Sequence, residues 1–328
     1  MTHSLRSFYA PLVSVAAVLG VLVMVTACSS SSSGGGGLSA EESAALAVFA
    51  GGSAARDSQE TLPDGDTFDI GDGTSGQTGM SAMTHDGGCP HTGSFDDSDS
   101  EIRDVFGVDV TTDVITYGNY VITCPEAQAQ VDGRIEVGDS GGRFYGEFGN
   151  PGADDGFFEA SVQSSQTPDM SFNMAARVEV CDGCGSGTDN GGYAGYTAPE
   201  FQAAFYMDAL ISMDTLDGRF RFGSSTADPM ELRVWAPGPD ETVALDGRIG
   251  VDQSGSPCGF DWVMNTIVPV EFNNDEPWNG SVDVVDPDDP ATSFNVSVND
   301  GVISVNGQVI TEERKQQIAQ QCGFEDEA

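Results

Sequence analysis

Apolar and polar residues alternate in short runs along most of the chain from Val105 onward. Alternation with a period of two puts apolar side chains on one face of a strand and polar side chains on the other. The runs are Val114–Tyr117, Tyr120–Thr123, Arg134–Val137, Arg143–Tyr145, Phe158–Val162, Arg177–Val180, Arg219–Phe222, Glu231–Val234, Ser281–Val284 and Phe294–Val298. Gly, Asn and Asp separate them at hairpin distances. The pattern predicts a mainly β protein, an antiparallel sandwich or barrel of many short strands.

Segments near the two ends have helical patterns instead. Ser39 and Glu42 have capping-box spacing before an apolar run that reaches Ala50. Thr311 can cap a second helix that extends to Gln321. Between Ser53 and Glu101 the chain is polar, acidic and rich in glycine, so we expect a loop or partial disorder there.

A five-residue motif recurs among the strand runs. Its copies are Val131-Asp132-Gly133-Arg134-Ile135, Leu216-Asp217-Gly218-Arg219-Phe220 and Leu245-Asp246-Gly247-Arg248-Ile249, with looser versions at Trp278–Val282 and Val305–Val309. Asp-Gly and Asn-Gly between apolar runs favour type I′ hairpin turns, because both central residues need positive φ. The copies indicate either a repeated hairpin unit or recurrent turn chemistry.

Residues 1–27 have the composition of an export signal. Arg6 is the only charged side chain, and the apolar stretch from Ala10 to Ala27 is short for a membrane-spanning helix. Val25-Thr26-Ala27-Cys28 resembles the lipobox of bacterial lipoproteins, in which an aliphatic residue and two small residues precede the acylated cysteine. The resemblance implies cleavage before Cys28 and anchoring to a membrane by acyl chains such as palmitate on that cysteine.

A serine and glycine run follows the proposed lipidation site, and such a run is a flexible tether. Because Ser29, and not the aspartate of inner-membrane lipoproteins, follows the cysteine, we expect the outer membrane of the cell envelope. The domains predicted are a signal peptide at 1–27, a tether and short helix at 28–60, and a β-rich domain at 61–328. If that domain has two lobes, the glycine-rich stretch 183–198 is their best boundary.

The charge balance excludes some partners. The chain has 52 acidic and 12 basic residues and a formal net charge of −40. Nucleic acids need a basic surface, so we predict no nucleic-acid binding. Two interpretations of the acidity stay open, a halophilic surface adapted to salty water and binding of Ca²⁺. The acids are spread along the whole chain, which favours the first.

Cysteine usage fits an oxidising compartment. Besides Cys28, an even set of cysteines is left in the exported part, which is typical of disulfides. We interpret them as sequential pairs, although other pairings fit the sequence. The pairs are Cys89 with Cys124, Cys181 with Cys184, and Cys258 with Cys322.

Gly138-Asp139-Ser140-Gly141-Gly142 resembles the serine motif of chymotrypsin-like proteases. A serine nucleophile needs a histidine base, and neither His85 nor His91 stands in that family's histidine context. We therefore interpret the five residues as a glycine-rich turn, and we assign no catalytic residue.

Two segments carry weak metal-binding patterns. Soft ligands for copper are Met80, Met83, His85, Cys89 and His91. Hard oxygen ligands for Ca²⁺ are Asp64, Asp66, Asp69 and Asp72, although their spacing is not that of an EF-hand. We expect no cofactor, with Ca²⁺ as the alternative.

Gly142–Gly146 followed by Ala153–Ala160 resembles a glycine-aromatic hairpin of transferrin-binding-protein-like surface lipoproteins. The resemblance implies a small β-barrel on a lipidated tether that binds host or haem proteins. The leading hypothesis is a non-enzymatic, membrane-anchored envelope lipoprotein with a binding or structural role and a protein or glycan partner. The alternative is a hydrolase such as a glycosidase that uses paired carboxylates.

Overall fold

The computed structural model describes residues 38–48, 90–125, 127–151, 156–164, 169–184, 192–213, 216–235, 241–253, 258–273 and 276–322. The strands are β1 His91–Val105, β2 Val108–Thr123, β3 Ala127–Ser140, β4 Arg143–Phe148, β5 Phe158–Ser164, β6 Met170–Asp182, β7 Phe201–Met213, β8 Leu216–Phe222, β9 Met230–Trp235, β10 Thr242–Gln253, β11 Phe260–Asn273, β12 Glu276–Val285, β13 Ser293–Asn299, β14 Val302–Val305 and β15 Gln308–Val309. Helix α1 spans 40–48 and helix α2 spans Glu312–Cys322. The predicted mainly β fold with a short helix near each end is confirmed.

All the described strands belong to one 15-stranded antiparallel sheet. Its order follows the chain as a meander, except at two places. Two positions across the sheet are each filled by two short strands, laid end to end. Strands β4 and β5 share the position between β3 and β6, and β8 and β9 share the position between β7 and β10. Each pair is thus a single long strand interrupted by an excursion of the chain.

The Asp-Gly motif lies inside strands, so the turn prediction is wrong for its three full copies. Gly133 in β3 and Gly247 in β10 have φ of 113° and 120° and face the two interruptions. A Cβ at Gly133 would lie 3.0 Å from the Cα of Phe158, and one at Gly247 would lie 2.7 Å from the Cα of Met230. Glycine is needed there because the re-entering strand passes against its backbone.

The two interruptions are closed by equivalent hydrogen bonds. The backbone N–H of Gly149 donates to the Arg134 carbonyl at 2.7 Å, and that of Gly223 donates to the Arg248 carbonyl at 2.8 Å. The copies in β3 and β10 therefore share a structural role, which goes beyond shared turn chemistry. Of the looser copies, Asn279-Gly280 also lies inside a strand, while Asn306-Gly307 forms the predicted turn between β14 and β15.

The main core lies on the face of the sheet that carries helix α1, here called the inner face. Residues 44–48 of the helix are all buried in the core cluster that gathers side chains from β3 to β14. Five consecutive residues cover every side of a helix, so this part of α1 is buried on all its sides. The indole Nε1 of Trp262 in β11 donates to the hydroxyl of Ser43 at 3.1 Å.

Both helix caps form as predicted. The N–H of Glu42 donates to the Ser39 hydroxyl, and the N–H of Ser39 donates to the Glu42 carboxylate. The N–H of Arg314 donates to the Thr311 hydroxyl, and its guanidinium binds the carboxylate of Glu42, which links the two helices. Neither described helix is long and apolar enough to span a bilayer.

Some expectations from the sequence need correction or extension. The loop expected between residues 53 and 101 is wrong for its last part, because His91–Val105 is strand β1. The sequence does not predict strands β7 and β11, because apolar and polar residues do not alternate regularly along them. Strands β6 and β7 flank the proposed boundary at 183–198, yet they pair along their whole length and contribute to the same core cluster.

Candidate functional site

A cluster of buried charges lies on the outer face of the sheet, beneath the tip of the β1–β2 hairpin. The pairing of β2 with β3 ends at Asp113 and Val137. The preceding residues of β2 cross Gly138 of β3, where a Cβ would lie 2.8 Å from the Cα of Thr112. The tip closes over a second small core of Val105, Val110 and Tyr145. Gly138 thus has a packing role, because only glycine leaves room for the crossing.

Glu136 of β3 is the centre of this buried site, and its side chain is fully shielded from solvent (0% exposed). Arg103 of β1 donates hydrogen bonds to both carboxylate oxygens, from Nε and Nη2, each at 2.7 Å. Thr112 donates its hydroxyl at 2.5 Å, and Arg134 donates from Nη2 at 2.5 Å. All the donors but Arg134 come from the hairpin, so this carboxylate ties the hairpin to the sheet.

Glu147 of β4 is the cross-strand partner of Glu136 and is also buried. Arg134 reaches it through Nη1 at 2.7 Å and so bridges the two carboxylates. Arg177 donates from Nε and Nη2 at 3.0 and 2.8 Å, and the hydroxyl of Tyr145 donates at 2.8 Å. The Tyr145 ring lies under the guanidinium of Arg103, 5.5 Å from its centroid, which adds a cation–π contact.

Three arginines offset the buried negative charge of the site. They bind Glu136, Glu147 and the half-exposed Glu101, whose carboxylate contacts Arg103 and Arg134. Burial alone would raise the pKa of Glu136, but hydrogen bonds from Arg103, Thr112 and Arg134 lower it to about 2. Burial and the hydrogen bond to Glu147 raise the pKa of Tyr145. The carboxylate of Glu136 is therefore ionised and its phenol neighbour stays neutral at any physiological pH.

Arginine–carboxylate pairs continue along the outer face on strands β7 to β11. Arg219 binds Asp208 at 2.5 Å, and Arg221 and Arg248 share Asp261 at 2.9 and 2.7 Å. Arg233 binds Asp246, whose other oxygen accepts the N–H of Thr266. Among the described arginines only Arg143 has no carboxylate partner, and it donates to the carbonyl of Asp182. Most arginines of the described residues are thus paired with carboxylates within the fold.

The structure places the predicted disulfide cysteines as follows. Cys181 and Cys184 are bonded, with Cα atoms 5.8 Å apart, where β6 ends. Cys124 and Cys258 each take part in a disulfide as well, with other cysteines. Their predicted partners, Cys89 and the side chain of Cys322, lie outside the described residues, as does Cys28, the predicted lipidation site.

The metal candidates Asp64, Asp66, Asp69 and Asp72 lie outside the described residues, and so do the copper candidates other than His91. The His91 ring is exposed and lies 5.6 Å from that of Tyr120. In the part of the chain that the structure describes, no three His, Cys, Asp or Glu side chains converge on a metal position. Ser140 is exposed beside the turn of Gly141 and Gly142, as the turn interpretation predicts.

The buried network is not predictable from the local sequence. Alternation predicts only that Arg134 and Glu136 lie on the polar face of a half-buried strand, and nothing local distinguishes them from solvated residues. One feature of the sequence could have indicated the network. Arginines are scarce in this chain, and most of them alternate with apolar residues in strand runs such as Arg219–Phe222. No family model, curated protein or solved structure matches this chain. Its function is therefore inferred from its own residues.

Proposed function

We propose that this protein is a non-enzymatic lipoprotein of the cell envelope, held to a membrane by lipid on Cys28, with a binding or structural role. The observation that carries the non-enzymatic part is the bonding of Glu136 and Glu147. They are a buried, cross-strand pair of carboxylates, and arginines and hydroxyls occupy their oxygens.

A glycosidase needs one carboxylic acid that holds a proton and a second carboxylate that is open to the sugar or to water. The low pKa of Glu136 leaves it without the proton. Glu147 is covered by Arg134, Arg177 and Tyr145, so a sugar carbon has no approach to its oxygens. This pair gives the hydrolase alternative no support.

The anchoring part of the proposal rests on the sequence. The lipobox-like Val25-Thr26-Ala27-Cys28 follows an apolar leader, and a serine and glycine tether separates it from helix α1. A rigid β domain on such a tether presents its surface away from a membrane. The resemblance to transferrin-binding-protein-like surface lipoproteins points in the same direction, toward a protein partner at the outer membrane.

Lipid labelling tests the anchor. Cells that express the full chain are fed an alkyne analogue of palmitate, and the protein is compared with its Cys28→Ser variant. We expect label and membrane retention in the natural chain, and loss of both in the variant. Equal membrane retention of an unlabelled natural chain and of the variant would overturn the anchor.

Turnover assays test the non-enzymatic part. We expect no hydrolysis of a panel of aryl glycosides by the purified mature protein. Hydrolysis that disappears in Glu147→Gln, but persists in an equally stable variant of an outer-face pair such as Asp208→Asn, would establish the hydrolase instead.

A further inference from the structure

The outer edge of β1 carries a second kind of interaction surface. No described strand pairs with that edge, since β1 is the first strand of the sheet and bonds only to β2. From Asp99 to Val105 its register with β2 is regular, while bulges interrupt the register before Asp99. We call Asp99–Val105 the β1 edge. Apart from Val105 and the half-buried Arg103 its residues are exposed.

The hairpin turn determines which backbone groups of the β1 edge are unpaired. Phe106 and Gly107 have φ of 49° and 80°, the geometry of a two-residue type I′ turn. Val105 and Val108 flank this turn and form a hydrogen-bonded pair, so every second residue back from Val105 also bonds to β2. Ser100, Ile102 and Asp104 therefore direct their backbone N–H and C=O groups outward, away from β2.

The opposite end of the sheet is protected in a different way. It ends in β14 and β15, which are four and two residues long, and the chain then continues into α2. Short edge strands offer little for another chain to pair with. The β1 edge is longer, and Ile102 beside its outward amide is 69% exposed. A large apolar side chain on an open strand edge is a recognition feature that folded proteins ordinarily avoid.

Charge indicates the chemistry of the partner. The first strand carries Asp96, Asp97, Asp99, Glu101 and Asp104. Its one cation, Arg103, turns inward and is bound to Glu136. A second copy of this chain, with a net charge of −40, would be repelled by such an edge, whereas a strand that carries Lys or Arg would be attracted.

We propose that the β1 edge binds an extended, basic segment of a partner protein, which adds to the sheet as a further antiparallel strand. Backbone hydrogen bonds to Ser100, Ile102 and Asp104 provide the pairing, and an apolar residue of the segment covers Ile102. Basic side chains next to Asp99 and Asp104 select the segment. This inference deepens the proposed binding role and rests on it.

The probe is a fluorescein-labelled peptide of about eight residues that alternates Lys and Val, long enough to cover the edge. Its binding to the purified mature protein is followed by fluorescence anisotropy. A peptide with Glu in place of Lys tests charge. The same Lys-Val peptide with alternate backbone nitrogens methylated tests strand pairing. Methylation removes the peptide N–H groups that would donate to the β1 edge and leaves the charge of the peptide unchanged.

The matched variants are Ile102→Pro and Ile102→Thr. Proline removes the outward N–H at this position and none of the N–H groups that bond to β2, while threonine keeps the N–H and loses most of the apolar surface. We expect the Lys-Val peptide to bind, and Ile102→Pro or peptide methylation to weaken binding by about tenfold or more. Ile102→Thr should have a smaller effect, and the Glu peptide should not bind.

Several results would overturn the proposal. They are no binding of the Lys-Val peptide at millimolar concentration, equal binding of its methylated form, and pairing of two copies that Ile102→Pro abolishes. If Ile102→Pro loosens the hairpin, the methylated peptide still decides the question on the natural chain. Lipid labelling and glycoside turnover do not involve the β1 edge, so a failure here is distinguishable from a failure of the proposed function.

Discussion

Arg103 and Glu136 are joined by two hydrogen bonds of 2.7 Å, although 33 positions of the chain separate them. The pair fastens the β1–β2 hairpin to the outer face of the sheet. A buried ion pair adds little net stability over an apolar pair of equal volume, but removing one partner leaves an uncompensated buried charge. The position of the hairpin, and with it the β1 edge, should therefore depend on this contact.

Glu136→Gln should destabilise the protein by about 3–5 kcal/mol, because Arg103 and Arg134 would both lose an anionic partner in a buried site. Urea unfolding, followed by tryptophan fluorescence, measures the loss. The control is Glu312→Gln, whose side chain is 77% exposed and pairs with Lys315 at the surface. It should cost less than about 1 kcal/mol. Equal losses in the two variants would show that the buried network is no tighter than a surface pair.

Acid should weaken the fold through Glu136. Its pKa is about 2 in the folded protein and 4.5 ordinarily, so the stabilisation is present above 4.5 and is lost as the pH falls through 2. The difference corresponds to about 3 kcal/mol. The free energy of unfolding, measured between these pH values, should fall more steeply for the natural chain than for Glu136→Gln. Parallel curves would contradict the assignment.

Glu179 should act in the opposite direction. Burial raises its pKa, and the neighbouring Asp104 and Glu147 raise it further against the lowering effect of Arg177. Its contribution is present below the ordinary value of 4.5 and is lost as the pH rises through the folded pKa. Glu179→Gln should therefore increase stability at neutral pH relative to its effect in acid. A larger gain in acid than at neutral pH would show that the carboxylate is not buried as described.

Gly247→Ala should be more costly than Gly307→Ala. Both glycines have positive φ, which costs alanine about 1–2 kcal/mol. Nothing lies within 4 Å of a Cβ at Gly307, while one at Gly247 would meet the Cα of Met230 at 2.7 Å. The extra loss measures the close approach of β9 to β10. Similar thermal midpoints for the two variants would mean that the interruption can shift without cost.

The acidity of the chain should respond to salt in one of two ways. Thermal unfolding is measured in EDTA, in millimolar Ca²⁺, and in NaCl at equal and at molar ionic strength. We expect a rise in midpoint only in molar NaCl, since the acids are dispersed and their repulsion is screened. A rise in millimolar Ca²⁺ that NaCl does not match would reveal a specific site, because a ligand of the folded state stabilises it by mass action.

Much of the sheet could be predicted from local pattern. Runs such as Arg134–Val137 and Phe294–Val298 alternate between apolar and polar residues because one face of the strand packs in the main core and the other does not. Both runs lie in strands. The caps at Ser39 and Thr311 could be predicted because each joins two residues that are three positions apart. Strand β1 escaped prediction because its exposed, acidic sequence buries almost nothing.

The sequence by itself determined, through its alternating runs, that this is a β protein, and through its composition that it has few cations. The recurring Asp-Gly pairs were visible too, but not their place inside strands. The tertiary structure decided what those residues meet. Arg103 contacts Glu136 because the hairpin crosses Gly138. Gly247 contacts Met230 because β8 and β9 share one position in the sheet. Such contacts depend on the register between distant strands, and a one-residue shift in register would turn each of these side chains to the other face.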